Sequence, residues 1–107
     1  SGGECLLYRL RSLVVSIVEK IKLGQVDEVD LLEYITDNDI SVAIAAAESP
    51  IATEPILDIA VHDNDKAVKM AALNNPNIGE ASLKFLCMDA DPEIANIANS
   101  KLEMKRK

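Results

Sequence analysis

Apolar residues recur along the chain at helical spacing, in runs separated by polar turns. Residues 4–23 form the longest run, and three pairs of shorter runs follow it between residues 24 and 101. Within the runs, apolar positions spaced i, i+3, i+4 fall on one face of an α-helix. The pattern predicts an all-α protein with one long N-terminal helix followed by pairs of short helices.

The pairs of short helices repeat with a period of 26 residues. Frames 24–49 and 50–75 share eight identities, and frames 50–75 and 76–101 share six. Unrelated sequences of this length would share roughly one or two, so we interpret the frames as repeated structural units. The following core positions recur in all three frames: Leu31, Leu57 and Leu83; Val42, Val68 and Ile94; Ala46, Ala72 and Ala98.

Each unit carries start signals for two helices. The first helix is predicted to begin after Asp27, Thr53 or Gly79, with a glutamate in its first turn, where negative charge is favoured. An Asp-x-Asp turn precedes the second helix, and its second aspartate is placed to accept hydrogen bonds from the free N–H groups of that helix. These predicted caps are Asp39, Asp65 and Asp91.

Two segments resemble a known repeat family: the run from Asp65-Lys66-Ala67-Val68 to Asn75-Pro76-Asn77, and residues 89–94. They are similar to the leucine-rich repeat variant, which belongs to the wider group of HEAT-like helical repeats. Together with the period, the resemblance predicts a right-handed α-α solenoid of about three 26-residue HEAT-like repeats. The chain departs from the family in its longer period and at the basic position after the valine, where only Lys69 is basic.

The N-terminal helix, residues 4–23, lies outside the repeat and has an apolar stripe wider than one contact surface requires. It either caps the exposed end of the repeat stack or also pairs with its copy in a homodimer. Residues 1–3 are interpreted as a linker end or cloning remnant, and residues 102–107 as a basic C-terminal tail. The residues proposed for self-association are Leu7, Leu10, Val14, Ile17, Val18 and Ile21.

Candidate chemistry is sparse, which argues against an enzyme. His62 is the only histidine, and no glycine-rich phosphate loop accompanies it. The Asp-x-Asp turns lack the glycine and glutamate that a calcium loop needs at fixed spacing. We therefore expect no catalytic, metal or cofactor-binding residues and no cofactor.

Cys5 and Cys87 are interpreted as buried free thiols, which, without an export signal or an apolar membrane span, indicate a cytoplasmic protein.

Charge is distributed unevenly along the chain. The net charge is −7, and residues 27–65 hold eleven carboxylates without a single lysine or arginine. This sign argues against nucleic acid as a partner. The stretch is either a solvated face with helix caps or an acidic surface for a basic protein. The residues proposed for partner binding are Asp27, Glu28, Asp30, Glu33, Ala43, Ile44, Ala47 and Glu48.

The second helix of the first unit, residues 40–47, is apolar nearly all round. We expect either the N-terminal helix or a second chain to cover it. The leading functional hypothesis is a protein-interaction module, a helical-repeat scaffold within a larger protein. A homo-oligomerisation or structural domain is the first alternative, and a nucleic-acid-binding repeat protein the second.

Overall fold

Seven helices and no strand make up residues 2–106, the part of the chain whose backbone the computed structural model describes; side chains are described for Arg9 and residues 11–105. The helices are α1 Gly2–Lys22, α2 Glu28–Tyr34, α3 Ile40–Glu48, α4 Glu54–Val61, α5 Lys66–Leu73, α6 Glu80–Leu86 and α7 Pro92–Arg106. The prediction of an all-helical protein is confirmed. Within residues 2–106, no helix is both long enough and apolar enough to span a bilayer.

Three helices begin at the predicted residues. Helices α2, α4 and α6 begin directly after Asp27, Thr53 and Gly79. Asp27 forms a capping box with Asp30, in which each side chain accepts a hydrogen bond from the other's backbone N–H. Thr53 makes no side-chain capping hydrogen bond to α4, and its hydroxyl donates to Glu28 Oε1 at 2.8 Å.

The Asp-x-Asp turns also have their predicted role. In all three turns the first aspartate accepts a hydrogen bond from the backbone N–H of the second, at 2.7–2.8 Å. The second aspartate then accepts from a backbone N–H in the first turn of the next helix, at 2.8–2.9 Å. These carboxylates satisfy donors that a helix start leaves free, so helix capping accounts for their positions.

The core consists of aliphatic side chains and alanines from successive helix pairs. Helix α3 packs against α5 and α5 against α7, while α4 packs against α6. Ala46, Ala72 and Ala98 are fully buried, and such small side chains allow neighbouring helices to approach closely. Leu31, Leu57 and Leu83 are likewise buried. The expected core positions of the repeat frame are therefore in the core.

A buried asparagine joins two successive turns of the chain. Asn75 Nδ2 donates to the carbonyl oxygens of Ala47 and Ser49, at 2.9 and 2.8 Å, and its Oδ1 accepts from Asn77 N. Asn77 Nδ2 in turn donates to the carbonyl oxygen of Pro50 at 2.8 Å. Neighbouring turns are thus linked by hydrogen bonds between residues more than 25 positions apart.

The structure gives the bounds of the two terminal helices. Helix α1 begins at Gly2, so residues 2 and 3 are part of it, and it ends at Lys22. Helix α7 extends past residue 101 through Arg106, so most of the segment predicted as a basic tail is helical. Leu102 is buried and anchors this extension. Helix α1 packs against α3, so the expectation that it contacts the apolar α3 is confirmed.

Candidate functional site

The residues predicted to bind a partner are divided between surface and core. Glu33 and Glu48 are exposed, and Asp27 and Asp30 are occupied with capping α2. Ala43 and Ala47 are 1% and 0% exposed, so their assignment to a binding surface is wrong. Both lie in the core because the helices around α3, among them α1 and α5, cover it. Ile44 is half-buried and packs against the same core.

The proposed self-association face is also largely used within the chain. Ile21 is buried, so assigning it to an exposed interface is wrong: it contributes to the core beside α3. Val14, Ile17 and Val18 are half-buried and pack against that core. Leu7 and Leu10 lie outside the side chains that the structure describes. Among the side chains of α1 that the structure describes, the exposed large apolar ones are Leu13 and Val15, at 57% and 54%.

The ion pairs between described side chains lie in the second half of the chain. Lys66 Nζ lies 3.0 Å from Asp91 Oδ2 and 2.9 Å from Glu93 Oε2, and Lys69 Nζ lies 2.8 Å from Asp89 Oδ2. Among the described side chains, none of the eleven carboxylates in residues 27–65 has a cationic partner within 4 Å. Among the described side chains, this stretch therefore forms no direct ion pair with lysine or arginine, while Lys22 and Arg11 of α1 line the same hollows as Glu48 and Asp39.

Hydrogen bonds shift the pKa of several turn aspartates. The hydroxyl of Ser41, followed by its backbone N–H, lowers the pKa of Asp39 by stabilising the carboxylate. Lys69 lowers the pKa of Asp89, and Lys66 lowers that of Asp91, through side-chain hydrogen bonds. The pKa of Lys66 is raised, chiefly by its hydrogen bond to Glu93. All of these groups stay charged at neutral pH.

Exposed apolar side chains gather at the C-terminal ends of α4 and α6, a feature that the sequence reasoning missed. The rings of His62 and Phe85 stack with centroids 4.0 Å apart. Ile59 and Phe85 are 26 residues apart in the sequence, as are His62 and Met88. Ile59 and Phe85 are 38% and 39% exposed, and Met88 is 79% exposed. We call these four residues the α4–α6 patch. The sequence held one signal of this patch, because Ile59 is apolar but lies outside the predicted buried face of α4.

A groove lies between α4 and α6 next to this patch. Its volume is about 440 Å³, and it is lined by Glu54, Pro55, Asp58, Ala81 and Ser82. Both helices run in the same direction, because residues of their first turns line this groove together while His62 and Phe85 meet at their ends. The groove and the patch therefore form one continuous strip with two carboxylates at one end and apolar groups at the other.

The thiol and metal predictions concern other parts of the molecule. Cys87 is a free, half-buried thiol rather than a fully buried one, and the Cys5 side chain lies outside the described residues. Within the described part of the chain, no group of three histidine, cysteine, aspartate or glutamate residues is arranged to hold a metal ion.

Comparison of the chain with protein-family models, with curated proteins and with solved structures found no match.

Proposed function

We propose that this protein is a non-catalytic protein-interaction module whose acidic surface binds a basic partner. The observation that carries the proposal is the block of eleven carboxylates in residues 27–65, none of which has a cationic partner among the described side chains. An unneutralised surface of one sign attracts a partner of the opposite sign and accelerates its association.

The architecture we propose for this module is a right-handed solenoid of three 26-residue helix pairs, similar to the leucine-rich repeat variant and HEAT-like repeats. Helices α2, α4 and α6 begin at residues 28, 54 and 80, and α3, α5 and α7 at residues 40, 66 and 92, which is consistent with a 26-residue unit. The molecule measures 57 × 27 × 16 Å, as expected when units stack along one direction. Such stacks offer extended surfaces suited to binding other proteins.

Affinity capture with a charge-reduced bait tests the proposed function. The native chain and the variant E33Q/E48Q/E54Q/D58N are compared at about 50 mM and about 300 mM NaCl, where charge interactions are screened to different extents. We expect the native bait to retain basic proteins at low salt, and both the higher salt and the variant to release them. Retention that is insensitive to salt and to the four substitutions would contradict the acidic-surface proposal.

A second candidate function is self-association through α1. It is favoured by the exposure of Leu13 and Val15, because an interface would remove these apolar side chains from water. Sedimentation velocity from micromolar to millimolar protein tests it, with L13S/V15S as the variant. A concentration-dependent mass that the variant abolishes would support a homo-oligomerisation role, whereas a constant monomer mass would exclude it.

A further inference from the structure

We propose that the strip formed by the α4–α6 groove and the α4–α6 patch docks an amphipathic helix of a basic partner protein. The proposal rests on the proposed function, because it names the part of the acidic molecule that the basic partner contacts and the shape of the segment that binds. The partner's apolar side chains would cover the patch, and its lysines or arginines would face the groove.

The apolar part of the strip favours a partner with a hydrophobic face. Phe85 and Met88 are large side chains left accessible to solvent, and Phe85 is held in place by its stacking on His62. Helices α4 and α6 span eight and seven residues, so the strip runs for about two helical turns, or roughly 12 Å. An amphipathic helix presents anchors over this length at positions i, i+3 or i+4, and i+7.

The charged part of the strip selects the sign of the partner. Glu54 and Asp58 line the groove, and no lysine or arginine among the described side chains pairs with either. The cation on the α6 side, Lys84, lies 3.4 Å from Glu80 and is thereby compensated. A partner's cation entering the groove therefore gains attraction from two carboxylates without displacing a competing cation.

The net charge of the chain indicates whether a different protein or a second copy of this chain binds the strip. Each copy carries a net charge of −7, so two copies repel one another at a distance even though α1 bears exposed basic residues. A basic protein is attracted at the same distance. The charge balance therefore favours a different, basic protein as the occupant of the strip.

Fluorescence anisotropy with a labelled amphipathic peptide tests the proposal. The probe is a helical peptide of leucine and lysine patterned at helical spacing, and a scrambled peptide of the same composition is its control. Titrations with the full chain are run at about 50 mM and about 300 mM NaCl. We expect the patterned peptide to bind at least about tenfold more tightly than the scrambled one at the lower salt.

Two pairs of matched variants locate the binding site. E54Q/D58N removes the groove carboxylates, and E19Q/E103Q removes two exposed carboxylates from α1 and α7 with the same change in net charge. M88S removes an exposed methionine from the patch, and M104S removes a similarly exposed one from α7. We expect E54Q/D58N and M88S each to weaken peptide binding by about fivefold, and their controls by less than about twofold.

The outcomes separate this proposal from the proposed function. Salt-sensitive binding that E54Q/D58N and M88S weaken no more than E19Q/E103Q and M104S do would overturn the docking site but keep the acidic interaction module. Absence of any binding by either basic peptide at low salt would overturn both. A native chain that forms dimers which M88S abolishes and M104S does not would show that a second copy occupies the strip.

Discussion

At the scale of single residues, Asn75 is 3% exposed, and both the nitrogen and the oxygen of its side-chain amide form hydrogen bonds. Its two N–H groups reach the carbonyl oxygens of Ala47 and Ser49, and its oxygen accepts from Asn77 N. The side chain therefore gives the buried Ala47 carbonyl a donor and adds a second donor to the Ser49 carbonyl, which also accepts from Ala52 N at 3.1 Å.

We predict that Asn75→Ala lowers the free energy of unfolding by about 1–3 kcal/mol, because the Ala47 carbonyl loses its side-chain donor inside the protein and the Ser49 carbonyl loses one of its two donors. Urea denaturation of the native chain and the variant measures the difference. The exposed neighbour Asn74 provides the control, and Asn74→Ala should change stability by less than about 0.5 kcal/mol. Equal effects at both positions would show that the amide hydrogen bonds of Asn75 contribute little.

The ion pair between Lys69 and Asp89 predicts a dependence of stability on pH. The hydrogen bond from Lys69 lowers the pKa of Asp89 in the folded state below the ordinary aspartate value of 3.8. A lowered carboxyl pKa stabilises the fold above the unfolded-state pKa, and this contribution is lost as pH falls through the folded-state pKa. We expect Asp89→Asn to be less stable than the native chain at pH 7 and equally stable at about pH 2.

Thermal unfolding followed by circular dichroism across this pH range checks the prediction for Asp89. Glu93→Gln serves as a comparison, because Glu93 is more exposed and shares Lys66 with Asp91. Its effect at pH 7 should be smaller than that of Asp89→Asn. A stability difference for Asp89→Asn that persists at the acid end would mean that the lost charge is not its cause.

At the scale of elements, the end of α1 depends on a single glycine. Gly24 has a φ of +71°, in the left-handed region. Its N–H donates to Ile21 O at 3.1 Å, and Gln25 N donates to Lys20 O at 2.9 Å. This is the Schellman arrangement, which ends a helix by satisfying its last carbonyl groups. It turns the chain from α1 into α2.

We predict that Gly24→Ala destabilises the protein by about 1 kcal/mol, because a side chain at positive φ is strained although no neighbouring atom would contact it. Gly24→Asn should cost less, since asparagine tolerates the left-handed conformation better. Chemical denaturation of the two variants gives the comparison. If alanine were tolerated as well as asparagine, backbone strain at this turn would not limit stability.

At the scale of the whole molecule, the carboxylates of residues 27–65 repel one another because no cation lies among them in the chain. Salt screens such repulsion between exposed charges. Salt also screens the attraction in the ion pairs of Lys66 and Lys69, which lowers stability. These pairs are short-range and fewer than the unpaired carboxylates. Salt is therefore expected to stabilise the fold.

We predict that the midpoint of thermal unfolding rises between about 20 mM and about 300 mM NaCl at neutral pH. The variant E33Q/E48Q/E54Q/D58N removes four exposed carboxylates that cap no helix, and its midpoint should depend less on salt. Sodium sulfate is avoided because it strengthens apolar burial independently of charge. A midpoint that falls with NaCl would indicate that the ion pairs outweigh the repulsion.

Local features of the fold could be predicted from the sequence. Helix starts after Asp27, Thr53 and Gly79, and the capping roles of Asp39 and Asp65, were predicted correctly. Capping involves hydrogen bonds across two or three residues, so local sequence is sufficient to specify it. The spacing of apolar positions likewise identified Leu57 and its equivalents as core, since helical geometry places them on one face.

Burial at other positions was decided only by tertiary packing. Ala43 and Ala47 entered the core because other helices cover α3, and Ile21 was removed from the exposed face of α1 by the same contact. Asn75 is buried and donates to the carbonyl groups of Ser49 and Ala47, which lie 26 and 28 residues away. Local sequence could not predict these hydrogen bonds. Phe85 is partly exposed, and its ring stacks on that of His62 at the end of α4. The sequence by itself thus determined where helices begin and which faces are apolar. Which of those faces meets another helix and which meets water depends on distant residues, so only the tertiary structure could decide it.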